Sequence, residues 1–432
     1  MADLTKRAPT AAFHHRDFRR YQLARLLVIM GAEAQSVAVA WQVYQLTHRA
    51  LDLGFTGLAL FLPGPLFMLA AGHAADRFDR RNVIFFCYVL QTIASAWLLW
   101  LGYHHTTHLW TIYSVLFLIG TGRTFSGPAS SAFVPHLVPK EEFVNAVTWG
   151  ANVFQTANIV GPALGGLMLT LNAPFGLTGP PLVYLISLCS LFVFLYLVGS
   201  LHIRIGRLEH GDFSLKLVLA GFRYVWRAKM VLGAITLDLA AVLLGGCTAL
   251  MPIFAQDILH TGARGLGILR AAPAVGALIV SVALTWIPLK RKAGRTMFFC
   301  VVIFGASIVL FGLSRSLWLS AFALLFYGGS DMISVVIRGS LIQLATPVEM
   351  RGRVSAVNSV FIGASNEFGE FESGVTAQWW GAVRAVIIGG IGTLTVTGLS
   401  ALFFPSLRKA DHLTEESLRE QMNVVGSQPA VD

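Results

Sequence analysis

Residues 72–81 read Gly72-His73-Ala74-Ala75-Asp76-Arg77-Phe78-Asp79-Arg80-Arg81. Five of the ten are charged, and they separate two apolar runs, 52–75 and 82–102. Each run has the about 20 residues that an α-helix needs to cross a bilayer at ~1.5 Å per residue. A short charged turn between two such runs is the joint of a helical hairpin. Gly72 lets the two helices approach closely. Arg77 stands at the negative C-terminal end of the first helix, and Asp79 near the positive start of the second. Such a loop ties two helices together and still leaves charges free to change partners.

Working outward, the same alternation fills the chain. Of 432 residues, 55% are apolar and 12% charged, against about 25% charged in a soluble domain. Mean hydropathy is +0.67. This excludes a disordered chain, a disulfide scaffold and an ordinary soluble enzyme. Spans are expected near 18–46, 52–75, 82–102, 109–135, 143–170, 179–201, 229–256, 265–288, 296–313, 317–344, 353–379 and 385–405. The fold class predicted is an all-α polytopic membrane protein with twelve transmembrane helices.

The net charge of +10 reports orientation rather than nucleic-acid binding. With the N-terminus inside, 24 of the 32 Lys and Arg fall on inner segments, and only Arg49, Arg264, Arg315 and Arg384 on outer loops. This is the positive-inside asymmetry, and it places both termini in the cytoplasm, with the basic segments near anionic lipid headgroups. Cys87, Cys189, Cys247 and Cys300 lie within spans without CxxC spacing, and read as packing residues. The charged N-tail precedes a span too long for a signal-peptide core, with no cleavage pattern, so the first span is expected to remain as an anchor.

The longest polar interval, from His202 to Lys229, divides the spans six and six. The chain is therefore expected to comprise an N-tail (1–17), a six-helix bundle (18–201), a linker (202–228), a second bundle (229–405) and a C-tail (406–432). Within the linker, Ser214 to Lys229 reads as an amphipathic helix. Leu215, Phe222 and Trp226 form one stripe, and Lys216, Arg223 and Arg227 another. Such a helix lies in the inner headgroup plane or packs on the cytoplasmic ends of the bundle. A shift of 208 places Gly120 on Gly328, Pro139 on Pro347, Glu141 on Glu349 and Arg123 on Asp331. A shift of 213 places Leu53-Gly54 on Leu266-Gly267 and Arg25 on Asp238. The similar offsets predict a duplicated six-span unit, hence two pseudo-symmetric bundles.

The loop at 72–81 resembles the loop signature of the major facilitator superfamily, and at that level the likeness covers about residues 15–405. It implies a latch in which Asp76 pairs with Arg351-Gly352-Arg353 at the end of span eleven when the inner side is closed, with Arg77, Arg80 and Arg81 in the same motif. The matching second-half loop, Lys290-Arg291-Lys292-Ala293-Gly294-Arg295, has the bases without an acid. Span five contains Gly161-Pro162-Ala163-Leu164-Gly165-Gly166. Proline removes a backbone donor and the glycines admit a neighbouring helix, which predicts a kinked, tightly packed segment at a half-to-half interface. This run resembles the G-P-x-x-G-G pattern of the superfamily's exporters, generally absent from its uptake symporters. Arg123, with Gly127 four residues on, resembles the arginine motif that the drug–proton antiporters link to proton transfer. Ala220-Gly221-Phe222-Arg223-Tyr224 and span eleven (351–358 and 366–374) resemble the branch containing the enterobactin exporter and the macrolide efflux proteins.

Ionisable groups at membrane depth are costly, so each is a functional candidate. The acids within spans are Glu33, Asp238, Asp331, Glu367, Glu370 and Glu372. Asp331 in span ten leads as a proton carrier, with Arg123 at the repeat-related place in span four. The resemblance implies that spans one, four, seven and ten line a central cavity, where this pair and the pair Asp238 and Arg25 would meet. Static contacts are the alternative, and Arg338, seven residues after Asp331, is a local alternative partner. Glu367 and Glu370 share a face of span eleven and are candidates for a proton relay or for binding a cationic or polar substrate. Glu33, Arg25 and Arg338 are substrate-cavity candidates, as are the aromatic residues Trp41, Tyr44, Phe125 and Phe254. His104 and His108 have the i, i+4 spacing of a metal pair. A flexible solvated loop explains them better, and no metal site and no cofactor is expected.

No GxSxG, HExxH or GxxxxGK[ST] pattern is present, so neither hydrolysis nor direct use of ATP is expected. The reading is a proton-coupled exporter of an amphiphilic small molecule, siderophore-like or macrolide-like, working by alternating access. A proton-coupled uptake symporter and a non-transporting membrane sensor are the alternatives. The partners expected are the substrate, protons and the lipid bilayer, with no nucleic acid. The chain is expected to be a monomer in the bacterial cytoplasmic (inner) membrane.

Overall fold

The computed structural model describes residues 11–104, 108–139, 142–171, 178–201, 215–286, 292–347 and 350–408. Its first half contains α1 (Arg16–Thr47), α2 (Ala50–Phe61), α3 (Pro63–Arg77), α4 (Arg80–Tyr103), α5 (Leu109–Phe133), α6 (Phe143–Met168) and α7 (Pro180–Gly199). After α8 (Leu215–Arg227) come α9 (Lys229–Leu244), α10 (Met251–Ile253), α11 (Gly262–Trp286) and α12 (Ala293–Leu313). The chain continues through α13 (Leu317–Ala345), α14 (Arg351–Trp380), α15 (Ala382–Phe403) and α16 (Pro405–Arg408).

Two of the expected spans are broken. The second divides into α2 and α3 because Pro63 cannot donate into the preceding turn and instead begins α3. The seventh ends its regular helix at Gly245. It continues as a 3₁₀ turn (Cys247–Leu250), α10 and a π-helical turn (Phe254–Ile258). Gly246 lies there against the backbone of Gly369 in α14, an approach that a side chain would block.

Among the described residues, nine helical segments are long and apolar enough to cross a membrane. Helices α5, α6 and α14 have 25, 26 and 30 residues, so their length also suffices. Trp110, Trp286, Trp318 and Trp379 are each at least 73% exposed and stand in the first or last turn of α5, α11, α13 and α14. This is where an aromatic belt at a membrane–water interface falls.

The chain packs as two units. One comprises Met1–His48, Ala59–Phe213 and Gly262–Ala271. Here α1 lies against α6 and α7, α4 against α5 and α7, and α3 against α5. Phe18, Tyr21, Phe133 and Phe194 are among its fully or nearly fully buried side chains. His15 pairs with Glu142 at 3.0 Å, tying the segment before α1 to the start of α6. The other unit comprises Arg49–Leu58, Ser214–Thr261 and Ala272–Asp432. In it α12 lies against α13 and α15, and α9 against α14 and α15. These units depart from a division at the linker alone, because 49–58 groups with the second and 262–271 with the first.

Equivalent contacts occur in both units. Gly120 of α5 abuts the Leu60 carbonyl and Pro63, and Gly328 of α13 abuts the Pro273 carbonyl. Gly166 of α6 lies on Gly267 of α11, while a Cβ on Gly374 of α14 would stand 3.0 Å from the Gly54 Cα of α2. A shift of 208 relates Gly120 to Gly328 and Gly166 to Gly374, and a shift of 213 relates Leu60 to Pro273 and Gly54 to Gly267. The sparse sequence repeat thus coincides with repeated packing.

The linker helix α8 packs on the second unit. Val225 of α8 is 2% exposed in a cluster with Val231, Ile342 and Val354. The Tyr224 hydroxyl donates to the Ala345 carbonyl at 2.8 Å. Trp226 remains on the outer face, 77% exposed.

Candidate functional site: buried charges and a polar cavity

The charged loop is built as its dipoles dictate. Asp79 caps α4, accepting a hydrogen bond from the Arg81 backbone N–H at 2.8 Å. The Arg81 guanidinium donates to the Gly199 carbonyl at 2.6 Å, placing a cation at the C-terminal end of α7. Arg80 lies 3.0 Å from His136 Nε2. Burial and the Arg80 charge hold the His136 pKa below its ordinary value. Arg77 is exposed in the last turn of α3 and Gly72 is buried. The side chains of Asp76 and Arg353 lie outside the described residues. Arg351 Nε donates to the Thr346 carbonyl at 3.2 Å.

In the second unit, Asp238 of α9 forms an ion pair with Arg338 of α13. Both are buried, with 7% and 3% exposure. A buried pair of this kind is costly to break by removing one partner. Asp331 stands two turns before Arg338 on α13. It lines a small cavity of about 10 Å³, about the space of one water, with Asp238, Ser330, Ser334 and Phe304. Two carboxylates and one guanidinium therefore come together. Arg338, weighed in the sequence as a partner for Asp331, is engaged by Asp238. Asp238, weighed as a partner for Arg25, takes its cation from within its own unit. Arg25 runs along α6, its Nη1 3.2 Å from where a Gly150 Cβ would stand.

In the first unit, Glu33 and Arg123 line one cavity of about 320 Å³, with Gln35, Tyr88, Gln91 and Ser95. Ile119, Phe154 and Leu191 supply apolar wall. The span-five motif shapes this region. A Cβ on Gly161 would stand 2.6 Å from Glu33 Cβ, and one on Gly165 2.8 Å from the Ala34 Cα. Gly161 and Gly165 therefore seat α6 on α1, with Pro162 inside the helix, while Gly166 meets Gly267.

The family profile of transmembrane secretion effectors matches residues 7–426. The chain belongs to this family, within the major facilitator superfamily. It is 25% identical over 391 residues to the enterobactin exporters of Citrobacter koseri and Escherichia coli O81, covering 90% of this chain and 88% of each relative. Among solved structures it is similar to a bacterial homologue of the human lysosomal transporter Spinster. There the TM-score is 0.70 at 11% identity, covering 94% of this chain and 98% of that one. It is also similar to a bacterial homologue of the iron transporter ferroportin, with a TM-score of 0.69 at 16% identity, covering 91% and 99%. At these identities the structures establish the shared major facilitator fold. The family and these neighbours point to a transporter rather than an enzyme.

The remaining candidates distribute unevenly over the secretion-effector fold. Glu367 and Glu370 do share a face of α14, and it is turned to α2: a Gly57 Cβ would stand 3.1 and 2.9 Å from their Oε2 atoms. Thr248 donates to Glu370 Oε1 at 3.3 Å. Phe254 and Tyr44 are core residues, 0% and 3% exposed, which corrects their reading as cavity aromatics. Phe254 stacks on Phe311 with centroids 4.4 Å apart. Phe125 packs near Phe67, centroids 6.2 Å apart. Trp41 is half-buried. The aromatics of the first-unit cavity are instead Tyr88 and Phe154. Of the histidine cluster, residue 105 lies outside the described residues. Sequence reasoning passed over Gln35, Gln91 and Ser95. Their only signal was three polar side chains within otherwise apolar runs.

Proposed function

We propose that the protein is a proton-coupled exporter, an antiporter moving an amphiphilic small molecule, siderophore-like or macrolide-like, out of the cell. The observation carrying this reading is the trio of the buried pair Asp238 and Arg338 with the half-buried Asp331, in a chain matched along its length by a secretion-effector family. The trio has one carboxylate more than it has cations, and so has a place for one proton. Taking up that proton neutralises the cluster and lowers the cost of holding it at membrane depth. Losing it restores the charge, and the two states favour different packings of the helices that bear them. Enterobactin export by the relatives, the G-P-x-x-G-G run and the absence of an ATP-binding loop support outward, proton-driven movement. In this reading α5, α6 and α14 cross the bilayer with the nine apolar segments, giving twelve crossings. The chain sits as a monomer in the cytoplasmic membrane with both termini inside. Asp76 latches to Arg351 and Arg353 when the inner side closes.

Inside-out vesicles with an imposed pH gradient test the proposal. Siderophores and macrolides are added in turn, and uptake and proton release are followed together. Accumulation that consumes the gradient supports antiport. Substrate movement that ignores the gradient makes the protein a facilitator. Movement only in right-side-out vesicles makes it an uptake system.

A further inference from the structure

The cavity of the first unit contains a donor that no described residue accepts from. Gln91 of α4 is 7% exposed, lines that cavity, and its Nε2 has no hydrogen-bond partner among the described residues. Its position is fixed by α5. A Cβ on Gly122 would stand 2.8 Å from Gln91 Cγ and 3.2 Å from Nε2. The amide is therefore held against α5 one residue before Arg123. A buried donor left unpaired costs about 1–3 kcal/mol, which an acceptor on a ligand removes. Nearby, Ser95 Oγ donates to Gln35 Oε1 at 3.0 Å, so those two groups satisfy each other.

The charges of this cavity are of opposite sign and come from different helices. Arg123 belongs to α5, beside Gln91, and Glu33 to α1. Tyr88, with its ring stacked on Phe194 at 3.8 Å between centroids, and Phe154 supply flat apolar surface. Its volume of about 320 Å³ stands at the lower end of the range of about 300–1,000 Å³ common for small-molecule sites. A ligand of one charge sign would satisfy one wall and be repelled by the other. The matching ligand has acceptor oxygens at one end, an ammonium or hydroxyl donor at the other, and a ring beside them.

We propose that this cavity binds a zwitterionic or donor–acceptor aromatic portion of the transported molecule, with Gln91 as a specificity-determining donor beside Arg123 and with Glu33 as the counter-group. The assignment to a transported molecule rests on the export reading; the binding chemistry does not.

The test is equilibrium binding to the purified full-length protein in detergent, measured by calorimetry or saturation-transfer NMR. The probes are phenylalanine, 3-phenylpropionate (which lacks the ammonium) and phenethylamine (which lacks the carboxylate). Phenylalanine is expected to bind about tenfold more tightly than either fragment, because phenethylamine leaves the buried Gln91 amide unpaired and 3-phenylpropionate the half-buried Glu33 carboxylate. Gln91→Leu should weaken phenylalanine and 3-phenylpropionate and leave phenethylamine unchanged. Glu33→Gln should weaken phenylalanine and phenethylamine and leave 3-phenylpropionate unchanged. If Gln91→Leu does not fold, Gln91→Glu keeps a polar side chain there and should favour phenethylamine instead. Absence of phenylalanine binding to the wild type, or equal weakening of all three probes by the Gln91 variants, overturns the site. Binding as described in a protein that exports nothing would overturn the export reading alone. Export without Gln91-dependent discrimination would overturn this site alone.

Discussion

Gly161 of α6 is the residue that makes room for Glu33 of α1: a Cβ at position 161 would stand 2.6 Å from Glu33 Cβ and 2.9 Å from the Met30 carbonyl oxygen. The first glycine of the G-P-x-x-G-G run therefore sets where a carboxylate enters the first-unit cavity. Gly161→Ala must push α1 and α6 apart, and overpacking of this kind costs about 1–3 kcal/mol. A lower Tm in detergent is expected, together with reduced export at unchanged expression. An alanine variant as stable and active as the wild type would show that this close approach is dispensable.

Asp238 and Arg338 should behave as a unit. Asp238→Asn or Arg338→Met leaves one buried charge uncompensated and should cost about 3–5 kcal/mol. The double variant, with neither charge, should recover much of that loss. Denaturation of the four proteins in one detergent measures the coupling. Additive losses would mean that the pair contributes no coupling.

Asp331 has a different expected signature. Asp331→Asn changes no ion pair among the described residues, so its thermal stability should stay near that of the wild type. Gradient-driven export should fall by at least about tenfold, the effect of removing a required proton acceptor. Counterflow exchange without a gradient should persist. Full gradient-driven export by Asp331→Asn would move proton coupling to another acid, Asp238 or the Glu367 and Glu370 pair.

His136 predicts a pH dependence of stability. Burial, and then the Arg80 charge, lower its folded pKa below the ordinary 6.5. The unfolded chain therefore binds the proton more readily than the folded one, and stability declines as pH falls through 6.5 and below. His136→Gln keeps an acceptor for Arg80 and removes the titration. The loss of Tm between neutral and mildly acidic pH should shrink in this variant. An identical pH profile in both proteins would exclude His136 as a source.

The repeat-related glycine contacts predict matched phenotypes. Gly166→Val places a side chain into the backbone of Gly267, and Gly374→Val places one against Gly54. Neither site has a flexible neighbour that can yield. Both variants should lose export to a similar extent, and accessibility labelling of single cysteines along α2 and α11 should rise in each. A defect in only one would break the functional equivalence of the two halves.

Much of this protein is written in local sequence. Apolar runs of spanning length, ended by charged turns, specify the helices because an unpaired backbone in lipid is too costly for any open alternative. The loop at 72–81 places Asp79 near the start of the next helix, and there it accepts from the Arg81 backbone N–H and caps α4. The offsets of 208 and 213 expose the duplication, which the glycine contacts repeat in space. Even the shared face of Glu367 and Glu370 follows from helical spacing alone.

Pairing across helices was not legible. Arg338 had Asp331 two turns away on its own helix, yet its anion comes from Asp238 on α9, a hundred residues earlier in the chain. Which of two equally placed carboxylates a guanidinium meets depends on helix rotation and depth, and an apolar run fixes neither. Gln91 looked like an incidental polar residue until packing against Gly122 placed it beside Arg123. Phe254 looked available for a cavity until Phe311 covered it. The sequence by itself determined the helices, the charged joint and the twofold repeat, because those depend on composition, periodicity and dipoles within one segment. Tertiary structure alone decided which buried charges meet and which polar groups line the cavity, because those depend on the relative rotation of helices far apart in the chain.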